Sequence, residues 1–396
     1  MNATGERSPL IAIACGGTGG HLYPGVAVAG HLRSLGARVM LLVSPKEVDQ
    51  KAVENLDGML IHTLPVVGLQ NRNYLSFLTG FARSFFRARE LFKRHRPQAV
   101  LAMGGFTSAP PVVAARLAGT PAFLHESNVI PGRANRLLAG LVMEAFVGFS
   151  ETAAHLSARQ TTFTGTPVRE SFSFKSVAMT NMDAARCRSR LGLDPEKPVL
   201  LVVGGSQGAM GLNQVILNVL PHLKDRNWQW LHLTGARDLE RVKAVYNSLG
   251  MAATVKPFLA EMELALGSAD ACVSRAGASS LAEIACCRLP ALLVPFPEAA
   301  DNHQCANAAV FARNGAALMI EQRCATPASV APLLVDLMEN TRLRAVMQEV
   351  LGGWHAPDAA HCIAGLILQK LGATLEPSRD LGSLQPVSKR TEAGHS

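Results

Sequence analysis

Two stretches of this chain repeat one device: a short apolar run, a cluster of glycines, then a helical pattern. Pro9 to Ala14 reads as a buried strand that enters Cys15-Gly-Gly-Thr-Gly-Gly-His21, with a helix expected from Tyr23 to Leu35. Pro198 to Val203 enters Gly204-Gly-Ser-Gln-Gly208 and a helix to about Leu220. Glycine at a strand-to-helix turn lets the main chain approach a ligand closely, and the unpaired N–H groups that open a helix favour a phosphate there. Strand patterns near 38–43, 59–63, 98–102, 122–124, 143–147 and 161–164 follow the first device, and 229–233, 253–256, 270–274, 291–294 and 316–320 follow the second. Strands that alternate with helices imply a parallel sheet covered on both faces. The expectation is α/β, with two Rossmann-like doubly wound domains facing each other across a cleft.

The glycines do not make the dinucleotide fingerprint. Counting from Gly17, the third glycine of G-x-G-x-x-G would fall at Leu22, and the strand ending at Val43 has no acidic residue for a ribose. No Gly-Lys-Ser/Thr follows either, so a P-loop is excluded. A nicotinamide oxidoreductase is therefore disfavoured.

The length of 396 residues accommodates two domains. Residues 1–169 are assigned to an N-terminal domain, 170–197 to a polar linker and 198–355 to a C-terminal domain. A helix in 356–373 is expected to pack back on the first domain, and the Ser-, Pro- and charge-rich stretch 374–396 is expected to be disordered. The net charge of +8 suggests an anionic partner. No run of basic and aromatic residues resembles a nucleic-acid groove, so no nucleic-acid partner is expected. The eight cysteines form no Cys-x-x-Cys pair, so neither a zinc site nor a disulfide framework is indicated. A reducing cytoplasm is the expected home, and no apolar run approaches the ~18 residues of a membrane span.

The stretch 274–307 combines more unusual choices than any other. An apolar strand to Ser274 breaks at Arg275-Ala-Gly277 before an Ala/Leu/Ile-rich helix, with Ser279 or Ser280 available as N-cap and Glu283 at capping-box distance. A second strand, 290–295, leads to Asp301, Asn302, His303, Gln304 and Asn307. Two successive junctions thus put phosphate-seeking amides beside side chains that bond hydroxyls, as a nucleotide-sugar requires. An ordinary capped helix is the plainer reading.

The same glycine turns, with this stretch, resemble the MurG family of N-acetylglucosaminyltransferases, which complete the lipid-linked precursor of bacterial peptidoglycan. The resemblance rests on GGTGGHLYPGVAVA at 16–29, MGGFTSAPPVVAA at 103–115, HESNVIPGRAN at 125–135, GTPVR at 165–169, GGSQGAMGLNQ at 204–214 and SRAGASSLAEIA at 274–285. It implies a GT-B fold and inverting transfer of N-acetylglucosamine from UDP-N-acetylglucosamine to the 4-hydroxyl of undecaprenyl-pyrophosphoryl-N-acetylmuramyl-pentapeptide. It places donor contacts at Thr18, Gly19, Gly20, Asn128, Arg169, Ser206, Leu259, Ala278, Ser279, Ser280, Leu281, Ala282, Glu283 and Gln304. Glu283 would hold the ribose and Ser206 the pyrophosphate. The acceptor pyrophosphate would meet Gly16, Gly17, Gly104 and Gly105. Ser127 stands where the family usually has glutamine, Thr166 where it commonly has asparagine, and His303 where a second glutamine is frequent.

Inverting transfer needs a base for the acceptor hydroxyl and stabilisation of the departing UDP. His21 is the expected base, with Glu126 and His125 in reserve; helix capping or phosphate binding is the alternative role for His21. Leaving-group charge would be met by helix amides at 206–208 and 279–280, with Arg169 as a cation. No Asp-x-Asp is present, so no metal or other cofactor is expected. From Tyr74 to His95 a helical stripe of Tyr74, Leu78, Phe81, Phe85 and Phe92 is accompanied by Arg83, Arg87, Arg89, Lys93, Arg94 and Arg96. Two readings are open: a core helix with a solvated basic face, or a surface that dips aromatics into an anionic membrane. The second suits a peripheral protein on the cytoplasmic side of the cell membrane. A UDP-sugar 2-epimerase of the same architecture and a non-catalytic sugar-nucleotide sensor are the remaining rivals.

Overall fold

A computed structural model describes residues 8–17, 19–54, 56–65, 74–173, 181–205 and 208–373. Thr18, Ser206 and the tail 374–396 lie outside the described residues. The chain divides into two compact units, 1–169 with 358–396, and 170–357.

The first unit is built on seven parallel strands: β1 (Leu10–Ala14), β2 (Arg38–Val43), β3 (Leu60–Thr63), β4 (Ala99–Ala102), β5 (Ala122–Glu126), β6 (Glu144–Val147) and β7 (Thr161–Phe163). Their order is β3-β2-β1-β4-β5-β6-β7. Helices α1 (Gly19–Ser34), α2 (Glu47–Val53), α3 (Tyr74–His95), α4 (Ala109–Leu117) and α5 (Arg133–Leu138) connect them. Alternate residues of a strand face opposite sides, so a sheet covered twice must be apolar throughout. β1 satisfies this in five residues. Leu10, Ala12 and Ala14 pack with Ala88, Leu91, Val112 and Leu138 of α3, α4 and α5, whereas Ile11 and Ile13 pack with Leu22, Val28 and Leu32 of α1.

The second unit repeats the plan. The segment 170–197, read above as a linker, contains α6 (Glu170–Ser173) and α7 (Asn181–Leu191). α7 is fixed by Arg188, which donates to Ser268 O at 2.9 Å and pairs with Asp270 at 2.8 Å. Then follow β8 (Val199–Val203), α8 (Met210–Val219), β9 (Gln229–Leu233), α9 (Leu239–Ser248), β10 (Ala253–Lys256), α10 (Met262–Ser268), β11 (Ala271–Ser274), α11 (Ala278–Cys286), β12 (Ala291–Leu293), α12 (His303–Arg313) and β13 (Leu318–Met319). Helices α13 (Pro327–Glu339) and α14 (Thr341–Trp354) close it. The strand order is β10-β9-β8-β11-β12-β13, all parallel.

The last helix, α15 (Ala359–Lys370), returns to the first sheet, where Ile363, Ala364, Ile367 and Leu368 join the α1 side of the core. Lys370 reaches the fully buried Glu144, 3.4 Å away. Ile363 has no exposed surface. Ile363→Ala is therefore expected to cost about 2–5 kcal/mol, read as a lower denaturant midpoint; an unchanged midpoint would show that α15 contributes nothing to this core.

Candidate active site

In each sheet the strand order reverses at one place, where neighbouring strands send their chains to opposite faces and leave a crevice at the carboxyl edge. In the first unit this place lies between β1 and β4. The turns that follow those two strands are the two glycine clusters, 16–20 and 103–108.

Each glycine has a specific neighbour. A Cβ on Gly16 would fall against the Ser44 amide and 2.9 Å from Asp49 Oδ2, and one on Gly25 would meet Cys15 and Met103. Gly104 and Gly105 have φ of +102° and +74°, a region that favours glycine. A Cβ on Gly104 would lie 2.9 Å from His21 Cε1, and one on Gly105 would lie 3.1 Å from His21 Cδ2. The half-buried imidazole of His21 therefore rests on the second glycine turn. Sequence brought the helix in at Tyr23, but α1 begins at Gly19, so Gly19, Gly20 and His21 form its first turn. Glycine is cheap there because the opening N–H groups have no intrahelical partner to lose.

Not every amide of these turns faces a ligand. Gly17 N donates to Asp49 Oδ2 at 2.6 Å, and Gly104 N donates to Ser108 Oγ at 3.0 Å. Ser108 Oγ in turn donates within reach of Gly104 O and Ala14 O. These two amides are bonded within the protein.

β5 ends in the two groups held in reserve as bases, and both are otherwise employed. Glu126 is buried; its Oε1 accepts from Asn128 N and Nδ2 at 2.8 and 2.9 Å, and its Oε2 from Gly132 N and Asn135 Nδ2 at 2.9 and 2.8 Å. A carboxylate has about four acceptor sites, so Glu126 shapes the 127–132 loop and has none left to take a proton. Four such bonds weigh against a catalytic role for Glu126. His125 is fully buried, with Nε2 3.1 Å from Gly165 O and Nδ1 3.4 Å from Ser127 Oγ. Burial pushes its pKa down to about 4, against the smaller opposing effects of the Gly165 bond and Glu126. Asn128 lies beside Glu126, and the Arg169 guanidinium sits over the Tyr23 ring of α1, 4.8 Å from its centroid.

In the second unit the reversal lies between β8 and β11, and the turns 204–208 and 275–277 follow those strands. The N-cap of α11 is Gly277, not Ser279 or Ser280, and glycine has no side chain with which to cap the helix. Both serines lie instead in its first turn, half-buried, with Glu283 in the next. Gln304 Oε1 accepts from Ala276 N at 3.2 Å and Phe296 N at 3.0 Å, while Asn307 Nδ2 donates to Ala276 O at 3.1 Å. α12 thus fixes the turn that opens α11. Before it, Asp301 and Asn302 are exposed and left-handed, at φ of +50° and +54°. Leu259 stands apart, on the loop after the edge strand β10.

Two residues of this site carry no local sequence signal. Arg275 is buried and donates to Val294 O, Pro295 O and Gln322 Oε1 at 2.9, 3.0 and 2.6 Å. Burial lowers its pKa to about 10, which leaves it charged at neutral pH. Gln322 also lies against Gly211 of α8, where a Cβ would come 2.6 Å from its Oε1. Among the described residues, no three His, Cys, Asp or Glu side chains gather as metal ligands would.

Two parallel-sheet α/β domains of this plan, each with its glycine-lined reversal point, define the GT-B class of glycosyltransferase. A solved structure of MurG from Acinetobacter baumannii superposes with a TM-score of 0.71 at 27% identity, over 91% of this chain and 99% of the other. Residues 11–147 match the Glycosyltransferase family 28 N-terminal domain, and 199–361 match its C-terminal domain. A relative from Chlorobium luteolum, named UDP-N-acetylglucosamine--N-acetylmuramyl-(pentapeptide) pyrophosphoryl-undecaprenol N-acetylglucosamine transferase, is 37% identical over 372 residues, 90% of this chain and 98% of its own length. The chain belongs to glycosyltransferase family 28. A UDP-N-acetylglucosamine 2-epimerase superposes with a TM-score of 0.65 over 92% of this chain and 97% of its own; at 11% identity it shares the fold alone.

His125 gives the first unit a defined acid sensitivity. An unfolded histidine titrates near about 6.5 and folded His125 near about 4, so between those values the unfolded chain binds the extra proton. Stability is complete above pH 6.5 on this account and falls as pH is lowered toward 4. His125→Gln should flatten the dependence of the unfolding midpoint over that window; an undiminished slope would assign it to other groups.

Proposed function

We propose that this chain transfers N-acetylglucosamine from UDP-N-acetylglucosamine to the 4-hydroxyl of undecaprenyl-pyrophosphoryl-N-acetylmuramyl-pentapeptide, with inversion, as a step of peptidoglycan and cell-wall synthesis, and so serves cell shape and division. The carrying observation is the near-full-length relative at 37% identity whose name states both substrates. The epimerase reading has only the shared fold behind it.

In this reading the second unit takes the nucleotide. The first turn of α11, which opens at Gly277, meets the departing diphosphate, and Glu283 one turn on bonds the ribose. Developing charge on the leaving group is stabilised by dipoles already in place, so none has to reorganise during the reaction. In the first unit His21 takes the proton of the acceptor hydroxyl, and Arg169 and Asn128 contribute to the donor. A general base works only in its unprotonated form, so kcat/KM should fall on the acid side. His21→Ala is expected to lower kcat at least about a hundredfold, within the usual range for removal of a general base, and to leave UDP affinity unchanged. A kcat equal to wild type would remove His21 from the mechanism. Incubation of the wild type with UDP-N-acetylglucosamine and lipid-linked muramyl-pentapeptide tests the function itself, and no disaccharide product would end it.

The acceptor's tail requires a membrane surface, and among the described residues no helix is long and apolar enough to cross one. α3 supplies a surface instead. Its buried face runs through Ser84, Ala88, Leu91 and Phe92, so the stripe read from sequence is displaced: Leu78 is 61% exposed, and Phe81 and Phe85 are half-buried. The Tyr74 side chain lies outside the described residues. Leu75 (75% exposed) and Phe86 (62%) face outward among Arg83, Arg87, Arg89, Lys93 and Arg94. Phe77 packs edge-on against Phe106 of the second glycine turn, ring centroids 6.1 Å apart. The apolar face thus adjoins the turn assigned to the acceptor diphosphate, which suits a head group whose tail is in lipid. In this reading the protein is peripheral, on the cytoplasmic side of the membrane. Leu75→Ser with Phe86→Ser should at least halve recovery with anionic vesicles in flotation; full recovery would locate the contact elsewhere.

A further inference from the structure

Asp49 is a fully buried carboxylate that the proposed reaction does not use, on α2, whose sequence showed no glycine or nucleotide motif. Its Oδ2 accepts from three donors: Gly17 N at 2.6 Å, Ser44 Oγ at 2.5 Å and Ser44 N at 3.3 Å. The same helix start holds the other side of Gly17, since Lys46 Nζ donates to Gly17 O at 2.6 Å. Gly17 has φ of +113°, which glycine adopts about as readily as a negative φ, so its own backbone does not select this conformation. It lies two positions before the start of α1, whose first turn carries His21. The imidazole has little room: it is bounded by the backbone of Gly104 and Gly105.

We propose that Asp49 is a positioning residue, which fixes the Gly17 peptide and through it the start of α1 and the placement of His21 over the second glycine turn. The inference rests on the reading of His21 as the base. An anionic acceptor forms stronger hydrogen bonds than a neutral one, so the charge on Asp49, and not its shape alone, holds the turn. A misplacement of about 1 Å in a reacting group can cost on the order of a hundredfold in rate, so a loosened Gly17 should appear in kcat.

Asp49→Asn keeps the shape and removes the charge. In the full chain it should lower kcat about tenfold and leave UDP affinity and the KM for UDP-N-acetylglucosamine within twofold. The discriminating measurement is the same substitution in a His21→Ala background, because residues acting through one another are non-additive. There the effect of Asp49→Asn should shrink below twofold. An equal factor in both backgrounds, or an unchanged kcat in the first, overturns the proposal. Should Asp49→Asn not fold, Ser44→Ala, which removes one of the three donors, carries the same cycle with an expected fall of about threefold. A wild type that makes no disaccharide refutes the assigned reaction; a wild type that does, with a cycle showing no coupling, refutes only the role of Asp49.

Discussion

A parallel sheet whose strand order reverses sends two neighbouring chains to opposite faces, and the crevice between their exits is the one place where main chain, not side chain, lines a ligand site. The proposed function depends on keeping that crevice open. At Gly16, Gly104, Gly204 and Gly208 a Cβ would collide with main-chain or ring atoms directly behind the turn. The glycines are therefore answers to particular contacts, and the resulting turns are tight because their own backs are packed.

Tight packing alone does not fix a turn, and in both units buried polar side chains do the fixing. Glu126 gathers four N–H groups, the half-buried Gln304 accepts from two amides twenty residues apart, and Arg275 donates to three oxygens. Hydrogen bonds to charged groups contribute about 1.5–3 kcal/mol each, and leaving the partners unpaired in the interior costs more than the bond returns. That asymmetry explains why such groups are spent on loops: each enforces one loop geometry, and a loop held in one geometry presents its remaining amides and side chains at fixed positions.

The fold class was legible because sheets covered on both faces give short, continuous apolar runs, and glycine punctuates their ends. Helix starts were not. Gly19 and Gly20 read as turn because glycine disfavours helix interiors by about 1 kcal/mol, a cost that does not apply to the opening turn. Ser279 and Ser280 read as caps by residue type, whereas the strand exit places Gly277 at that position. The α3 stripe was misread because a helix laid on others at an angle buries Gly80, Ser84 and Ala88, small residues that periodicity in aromatics cannot register. Asp49 and Gln322 carried no signal of their own: the partners that give them their role, Gly17 and Arg275, lie more than thirty positions away.

The two histidines of the first unit show how one residue type is divided between structure and chemistry. His125 donates through Nε2 to Gly165 O, which leaves Nδ1 to accept from Ser127, and it is shut from water. Its depressed pKa keeps it neutral through the physiological range, and the nearby His21 pushes in the same direction, because two adjacent imidazolium groups would repel. A buried imidazole with both nitrogens engaged cannot exchange a proton with a substrate. His21 is only half-buried, opens a helix and lies on glycine main chain that presents no side chain of its own to compete for it. Proton transfer requires a nitrogen next to the reacting hydroxyl, so in the proposed mechanism the environment, and not the residue type, sets His21 apart from His125.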